Sequence, residues 1–318
     1  MKILRSAILI LSIAGAALAG TVNSALLNLV MPDAVVLSGA QVDQLAASPF
    51  GQYLLSQFQP TNSGFLDFVG ATGFDPRYNL QYVLAATSVD GAGTRNGLIL
   101  GVGTFVPSKI ITAATDAGAS TSTYKGITIL TAPKSSKQNS LAFLDSSTIV
   151  AGNLAMVQAA IDRRLAGSVF SGALAQQASS VSGAYQAWYA TVTPLSDFLT
   201  GKIGNLGNLS QNNLFQSILE SSGGVNFTAS GVTVTADAVT ASPQNAQSVV
   251  DVLQFLVSMM QNNNGNNPKL GALAGASTFS VNGSTAHLVL ALSEQQAEQL
   301  VTPPTGKAVV EHRERVRK

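Results

Sequence analysis

The hydrophobic pattern of the chain consists of short apolar or alternating runs, cut by turn signals and interleaved with helical periods. One apolar run covers Leu80 to Thr87. After Asp90-Gly91 and Asn96-Gly97 a second covers Leu98 to Val106. Pro107 follows at the position where a missing N–H costs a helix least, and Ile110, Ile111 and Ala114 fall on one face of the helix it starts. A strand is predicted over Gly126 to Thr131. A hairpin then pairs Leu141 to Leu144 with Thr148 to Ala151 around Asp145-Ser146-Ser147. Asn153 caps a helix whose inner stripe is Leu154, Val157, Ala160, Ile161 and Leu165.

The same order returns further along. Val225 to Ala229 turns through Ser230-Gly231 into Val232 to Thr240, where Val232, Val234 and Ala236 alternate with Thr233, Thr235 and Asp237. A period of two marks a strand with one buried and one wet face. Ser242-Pro243 opens a long helix with Ala246, Val249, Val250, Leu253, Leu256, Val257 and Met260 inward, ended by the polar run Asn262 to Pro268. Asn282-Gly283 is a strong hairpin signal. Ala286 to Leu292 is the returning strand, and Ser293 with Gln296 forms a capping box for a last helix.

Each stretch reads hairpin, helix, hairpin, helix. The expected fold class is therefore α+β: two copies of a β-hairpin–helix–β-hairpin–helix unit, with antiparallel sheets covered by helices on one face and open on the other. The copies occupy residues 75–166 and 223–302. A lead-in segment, 20–74, holds a strand at Val35 to Gly39 and a helix at Pro49 to Phe58. A connecting segment, 167–222, holds a strand at Tyr185 to Val192 and helical pieces near Leu195–Leu199 and Leu214–Leu219.

The N-terminus sets the expected compartment. Lys2 and Arg5 precede an apolar run from Ala7 to Ala14, and Ala17-Leu18-Ala19 offers small side chains at a cleavage site. Residues 1–19 thus read as a secretory signal peptide, with a retained membrane anchor as the alternative. Export to the periplasm or cell surface is expected. The chain has no cysteine. Disulfides, thiolate nucleophiles and thiolate metal sites are excluded, and the apolar core alone must supply stability.

Charge changes the picture again. Only 10% of residues are charged, against 46% hydrophobic, and Gly20 to Thr305 carries ten Lys or Arg and fourteen Asp or Glu. That surface is hydrogen-bonding and nearly neutral, unlike the basic stripe nucleic acid demands. No nucleic-acid partner is expected; the partner classes are an envelope protein or a polysaccharide. Residues 303–318 differ: after Pro303-Pro304 come Lys307, Arg313, Arg315, Arg317 and Lys318. This tail is expected to be disordered, with weak contact to an anionic membrane surface.

Candidate chemistry is sparse. Of two histidines, His312 lies in the tail and His287 in an apolar strand, and no Gly-x-Ser-x-Gly elbow is present. Ser122-Thr123-Tyr124-Lys125 matches Ser-x-x-Lys, but runs straight into a strand, which would point the pair apart. Asp75-Pro76-Arg77 reads as a helix cap. Tyr185, Trp188 and Tyr189 form the one aromatic cluster, a candidate stacking platform for a ligand, with Tyr185 and Tyr189 on one strand face and Trp188 on the other. No catalytic, cofactor or metal residue is assigned.

The stretches Pro32-Asp33-Ala34-Val35-Val36, Ser48 to Tyr53, Gly73 to Arg77 and Phe143 to Gly152, with the strand–Ser-Pro–helix join at 232–260, together resemble a family of exported bacterial envelope proteins of unknown function. The resemblance implies a duplicated α+β fold and a place in the envelope, and brings no catalytic residues. The expected function is an exported non-enzymatic binding or assembly module. The alternatives are an extracytoplasmic serine or carboxylate hydrolase acting on cell-wall or sugar substrates, and a membrane-attached accessory protein.

Overall fold

A computed structural model describes residues 23–57, 63–91, 93–133, 139–194, 215–262 and 268–301. The signal segment, the basic tail and the helical piece expected near Leu195–Leu199 lie outside the described residues. The fold is α+β, built on one antiparallel sheet of twelve strands. In chain order these are β1 (Ala34–Gln41), β2 (Leu80–Val89), β3 (Arg95–Gly103), β4 (Ser120–Tyr124), β5 (Ile127–Thr131), β6 (Ser140–Phe143), β7 (Thr148–Gly152), β8 (Ala187–Thr191), β9 (Ile218–Thr228), β10 (Gly231–Thr240), β11 (Ser277–Asn282) and β12 (Thr285–Ser293). Across the sheet they run β11-β12-β10-β9-β8-β1-β2-β3-β7-β6-β5-β4. The helices are α1 (Ser24–Leu27), α2 (Val42–Leu45), α3 (Pro49–Gln57), α4 (Ser63–Thr72), α5 (Pro76–Asn79), α6 (Pro107–Asp116), α7 (Leu154–Ala166), α8 (Ala173–Ala184), α9 (Pro243–Asn262), α10 (Pro268–Ala276) and α11 (Glu294–Val301).

The caps read from sequence are made. Asn153 accepts from Met156 N at 2.9 Å, Asp75 from Arg77 N at 2.9 Å and Ser242 from Asn245 N at 3.2 Å. The capping box closes both ways: Gln296 N donates to Ser293 Oγ at 3.3 Å, and Ser293 N donates to Gln296 Oε1 at 2.9 Å. Two expectations are corrected. The helical piece near Leu214–Leu219 is a short 3-10 turn, Phe215–Ser217, that runs directly into the eleven-residue strand β9. Tyr185 is not in a strand; it caps the C-terminus of α8, and β8 begins two residues later. Local apolar spacing cannot separate a short strand from a helical turn, and the pairing with β8 and β10 decided for β9.

Both predicted units lie in the same sheet, joined by β1 and β8. Outward from that joint the strands run β2-β3-β7-β6-β5-β4 on one side and β9-β10-β12-β11 on the other, so two hairpins of each half meet in the same order but the first half carries two further strands, and the halves are not copies. The helices do not follow suit. In the first half α7 packs Val157, Ala160 and Ile161 on Leu98, Leu100 and Val150, while α6 packs Ile110 on Val83 and Ile149, on the opposite face. In the second half α9 and α11 pack on the same face, against Ala286 and Leu292 of β12, two positions of equal parity. The other face of β10, β12 and β11 carries Thr233, Asp237, His287 and Ser280. The alternation read in β10 holds only in part: Val232 is buried and Thr233 and Asp237 are half-buried, but Thr235 is buried as well and Val234 and Ala236 are half-buried, so the strand does not divide into one buried and one wet face.

The largest core fills the face covered by α7 and α8. Leu26, Leu27, Leu29, Val30 and Met31, around and after α1, are also buried there. Arg163 Nε donates to Leu29 O at 2.9 Å and Phe170 N to Asn28 Oδ1 at 3.1 Å, which seats this N-terminal segment on the body.

At the joint, Gly39 of β1 sits directly opposite Trp188 of β8, with Tyr82 of β2 on its other flank. Trp188 Nε1 donates to Tyr82 Oη at 3.2 Å, across the space a side chain at 39 would fill. Burial pushes the Tyr82 phenol up to about 12, against the opposing effect of the Trp188 bond. A Cβ at position 39 would lie 2.5 Å from Trp188 Cε2 and also strike Tyr82 Oη. Gly39→Ala should therefore cost about 3 kcal/mol of stability, the upper range for overpacking, whereas Tyr82→Phe should cost about 1 kcal/mol. Urea unfolding midpoints check this; a Gly39→Ala chain as stable as the parent would contradict it.

A second prediction concerns the β6–β7 turn. Asp145 Oδ1 accepts from Ser147 N and Oγ, both at 2.8 Å, and Oδ2 accepts from Arg164 Nη2 at 2.8 Å. Burial pushes the Asp145 carboxyl up, but the Ser147 and Arg164 bonds outweigh it and hold the group at about 2. An ordinary Asp titrates near ~3.9. The folded value is the lower one, so the contribution is complete above about pH 4 and is lost as pH falls toward about 2. Asp145→Asn should lower the urea midpoint near neutral pH, and the gap to the parent should close across that acid window.

Candidate functional site

The second face of the first half-sheet carries a cavity of about 690 Å³. Its floor comes from β2, β3, β7, β6 and β5, where the strand period turns Val83, Ala85, Ile99, Leu130, Leu141 and Ala151 toward it. Its roof is α4 and α6, two helices that pack on each other. Small residues keep the space open: Ala85 and Ala151 below, Ala71, Ala113 and Ala114 above. One end is closed by aromatic rings, Phe74 to Phe105 at 5.3 Å and Phe105 to Phe143 at 5.7 Å between centroids. Phe65 is buried and Phe68 half-buried along α4.

The polar groups along the lining are few. Asp67 and Asp116, both exposed, stand on the two roof helices, and Ser38, Thr87, Thr131, Asn139 and Ser140 lie on the sheet side. Among the described lining residues there is no Lys, Arg or His. Nothing in this arrangement pairs a nucleophile with a base. The cavity is a space for apolar matter with a thinly polar border.

The sequence reading missed this site because it left Ser63–Thr72 unassigned. The signal was present: Phe65, Phe68, Val69 and Thr72 fall at helical spacing, with Gly73 just beyond as a stop. Gly73 takes φ +70°, and its N–H donates to Val69 O at 2.7 Å.

Of the residues singled out from sequence as candidate chemistry, Pro76 borders the cavity and the others are absent from its lining. Trp188 is buried, 3% exposed, in the core beneath α8. Tyr185 packs against the same core from the helix cap, on the side of Trp188. Tyr189 points to the opposite face and is half-buried, and burial pushes its phenol up. The structure does not bring the three rings together into one exposed surface. Ser122 is exposed in the edge strand β4, and Lys125 sits in the following turn at φ 48°. Lys125 Nζ is bound to Asp162 Oδ1 at 2.6 Å, which raises its pKa. A base for Ser122 would have to be neutral, so the bond to Asp162 works against that role. Asp75 and Arg77 form a close pair, Nη2 to Oδ2 at 2.6 Å, within the α5 cap. His287 Nδ1 lies 2.5 Å from Asp237 Oδ1 on the largely polar face of β10 and β12. Among the described residues no three His, Cys, Asp or Glu side chains gather to hold a metal ion, and no helix is long and apolar enough to cross a membrane.

The single tryptophan makes the aromatic cluster testable. Trp188 emission should be blue-shifted and insensitive to iodide, and titration with neutral oligosaccharides should leave it unchanged. A sugar-dependent shift or strong iodide quenching would restore the stacking platform.

No family model matches the chain, and no curated protein does. Two solved structures share the fold, both of TP0453, a Treponema protein. Crystal form I aligns with a TM-score of 0.53 at 12% identity, covering 86% of this chain and 95% of that one. Crystal form IV aligns with a TM-score of 0.54 at 12% identity, covering 90% and 97%. At this identity the likeness shows the fold: this chain has the mixed, antiparallel architecture of TP0453 along nearly all of that protein's length.

Proposed function

We propose that this chain is an exported, non-enzymatic binding module that holds an apolar ligand in the cavity between the first half-sheet and helices α4 and α6. The observation that carries the reading is the cavity itself: about 690 Å³, floored and roofed by aliphatic, aromatic and alanine side chains. A domain whose stability rests on packing alone loses contact energy at such a void, so an occupant that fills it is favoured. Each methylene moved from water into that space contributes about 0.8 kcal/mol. The export half of the reading is supported by residues 1–19, with their basic start, apolar run and Ala-x-Ala end.

The experiment is direct. The neutral fluorophore N-phenyl-1-naphthylamine should bind the purified chain with enhanced emission. Ala85→Phe and Ala151→Phe, which place a ring on the cavity floor, should weaken that binding about tenfold or more, and Ala291→Phe, an exposed site elsewhere on the sheet, should not. Loss of fluorophore binding in all three variants alike, or in none, would sink the proposal. Fractionation of cells producing the full chain tests the export half: a product retaining Met1 in the cytosol would overturn it.

A further inference from the structure

The strand register gives the cavity a long axis. Ala85 of β2 stands opposite Ile99 of β3, Ile99 opposite Ala151 of β7, Ala151 opposite Leu141 of β6, and Leu141 opposite Leu130 of β5. All five line the cavity, so one cross-strand row forms its floor. Neighbouring strands lie ~4.8 Å apart, which makes the row about 19 Å long from β2 to β5. Along the strands the space is shorter. Two residues from the row, Val83, Ile149 and Phe143 already belong to the ring cluster around Phe105.

The two ends of the row differ. At the β1 end Ser38 stands opposite Ala85, and Thr87 lies two residues beyond Ala85 on the same face of β2. Both line the cavity and both are half-buried, and among the described residues no other side chain bonds either hydroxyl. At the β5 end the hydroxyls are already paired: those of Thr131 and Ser140 bond each other at 3.0 Å. Leu130 closes the row there, 6% exposed.

We infer that the ligand is an elongated amphiphile that lies across the strands, its polar group bonded by Ser38 and Thr87 beside the β1–β8 joint and its hydrocarbon tail running to Leu130. The inference rests on the apolar-ligand reading and adds the ligand class and its direction. Two hydroxyls that each donate and accept suit a polar group such as an alcohol or an ester carbonyl. A plain hydrocarbon would cover both hydroxyls and pair with neither, which costs binding energy. Toward β5 the row offers apolar surface, and every methylene laid on it leaves water. A few placed polar groups at one end of an apolar space are what fix the orientation of a bound molecule. The rival anchor is Asn139, which lines the cavity two residues from Leu141 on β6.

The test displaces N-phenyl-1-naphthylamine from the full chain with linear alcohols from decanol to octadecanol, each below its aggregation threshold. Ser38→Ala with Thr87→Val, which remove the two hydroxyls and little else, should raise the tetradecanol concentration needed about tenfold and leave direct binding of the fluorophore within about twofold. Asn139→Ala should leave both within about twofold. Leu130→Ala lengthens the far end, so the alcohol that displaces best should become longer by about three carbons, the number the leucine gives up. If the double variant takes tetradecanol as the parent does, or if Asn139→Ala weakens it instead, the anchor is wrong and the inference is overturned while the apolar cavity stands. A preferred length that stays the same or shortens in Leu130→Ala overturns the direction. If the fluorophore binds but no alcohol displaces it, the amphiphile is overturned. If the fluorophore itself does not bind, the apolar-ligand reading falls and the inference with it.

Discussion

The close approach of three strands at Gly39 is the constraint on which the molecule depends. β1 and β8 are the pair that turns two half-sheets into one, and the Trp188 ring lies across their seam, bonded to Tyr82 on the strand beyond. Only a residue without a side chain leaves room for the ring and the phenol together. The large core beneath α7 and α8 continues from this point in both directions, and the N-terminal segment closes over it. With the seam intact, the two faces of the first half are assigned: one is a filled core, the other the floor of a cavity.

That difference between faces follows from what each helix carries. α7 and α8 press Val157, Ile161, Leu174 and Val181 into the sheet and leave no room. On the opposite face, α6 offers alanines at 113 and 114, with Ala117 just past its end, and α4 offers Phe65, Phe68 and Ala71. Large side chains meet at the ring cluster, and small ones face small ones beyond it. The space is a consequence of side-chain volume on two facing layers, since close-packed interiors hold few voids of this size.

The neutral polar composition is legible in the same terms. The face of β10, β12 and β11 that carries Thr233, Asp237, His287 and Ser280 is largely polar, and among the described residues the pairs of opposite charge include one local pair, Asp75 with Arg77, and two between residues well separated in sequence, Lys125 with Asp162 and Asp145 with Arg164. Exposed pairs of this kind contribute little stability. The fold is held by burial, by strand pairing and by side-chain caps, as a chain without cysteine must be.

Local signals by themselves determined the hairpins β2–β3, β6–β7, β9–β10 and β11–β12, the helices capped by Asp75, Asn153, Ser242 and Ser293 and the class of the fold, because a period of two, a turn dipeptide or a capping serine acts within a few residues; the β4–β5 hairpin and α8 went unread. They also ruled thiol chemistry out of the chain and set the expectation of export. Tertiary structure alone decided the rest. Tyr185 is a helix cap beside Trp188, and Leu219 lies in a strand, because neighbours distant in sequence pair with those segments. That both halves enter one sheet, that α6 and α7 lie on opposite faces while α9 and α11 share one, and that alanines on α6 face alanines on β2 and β7 across an open space are relations between residues tens of positions apart. No local period encodes which surface a helix will meet, so the cavity became visible only once the chain was folded.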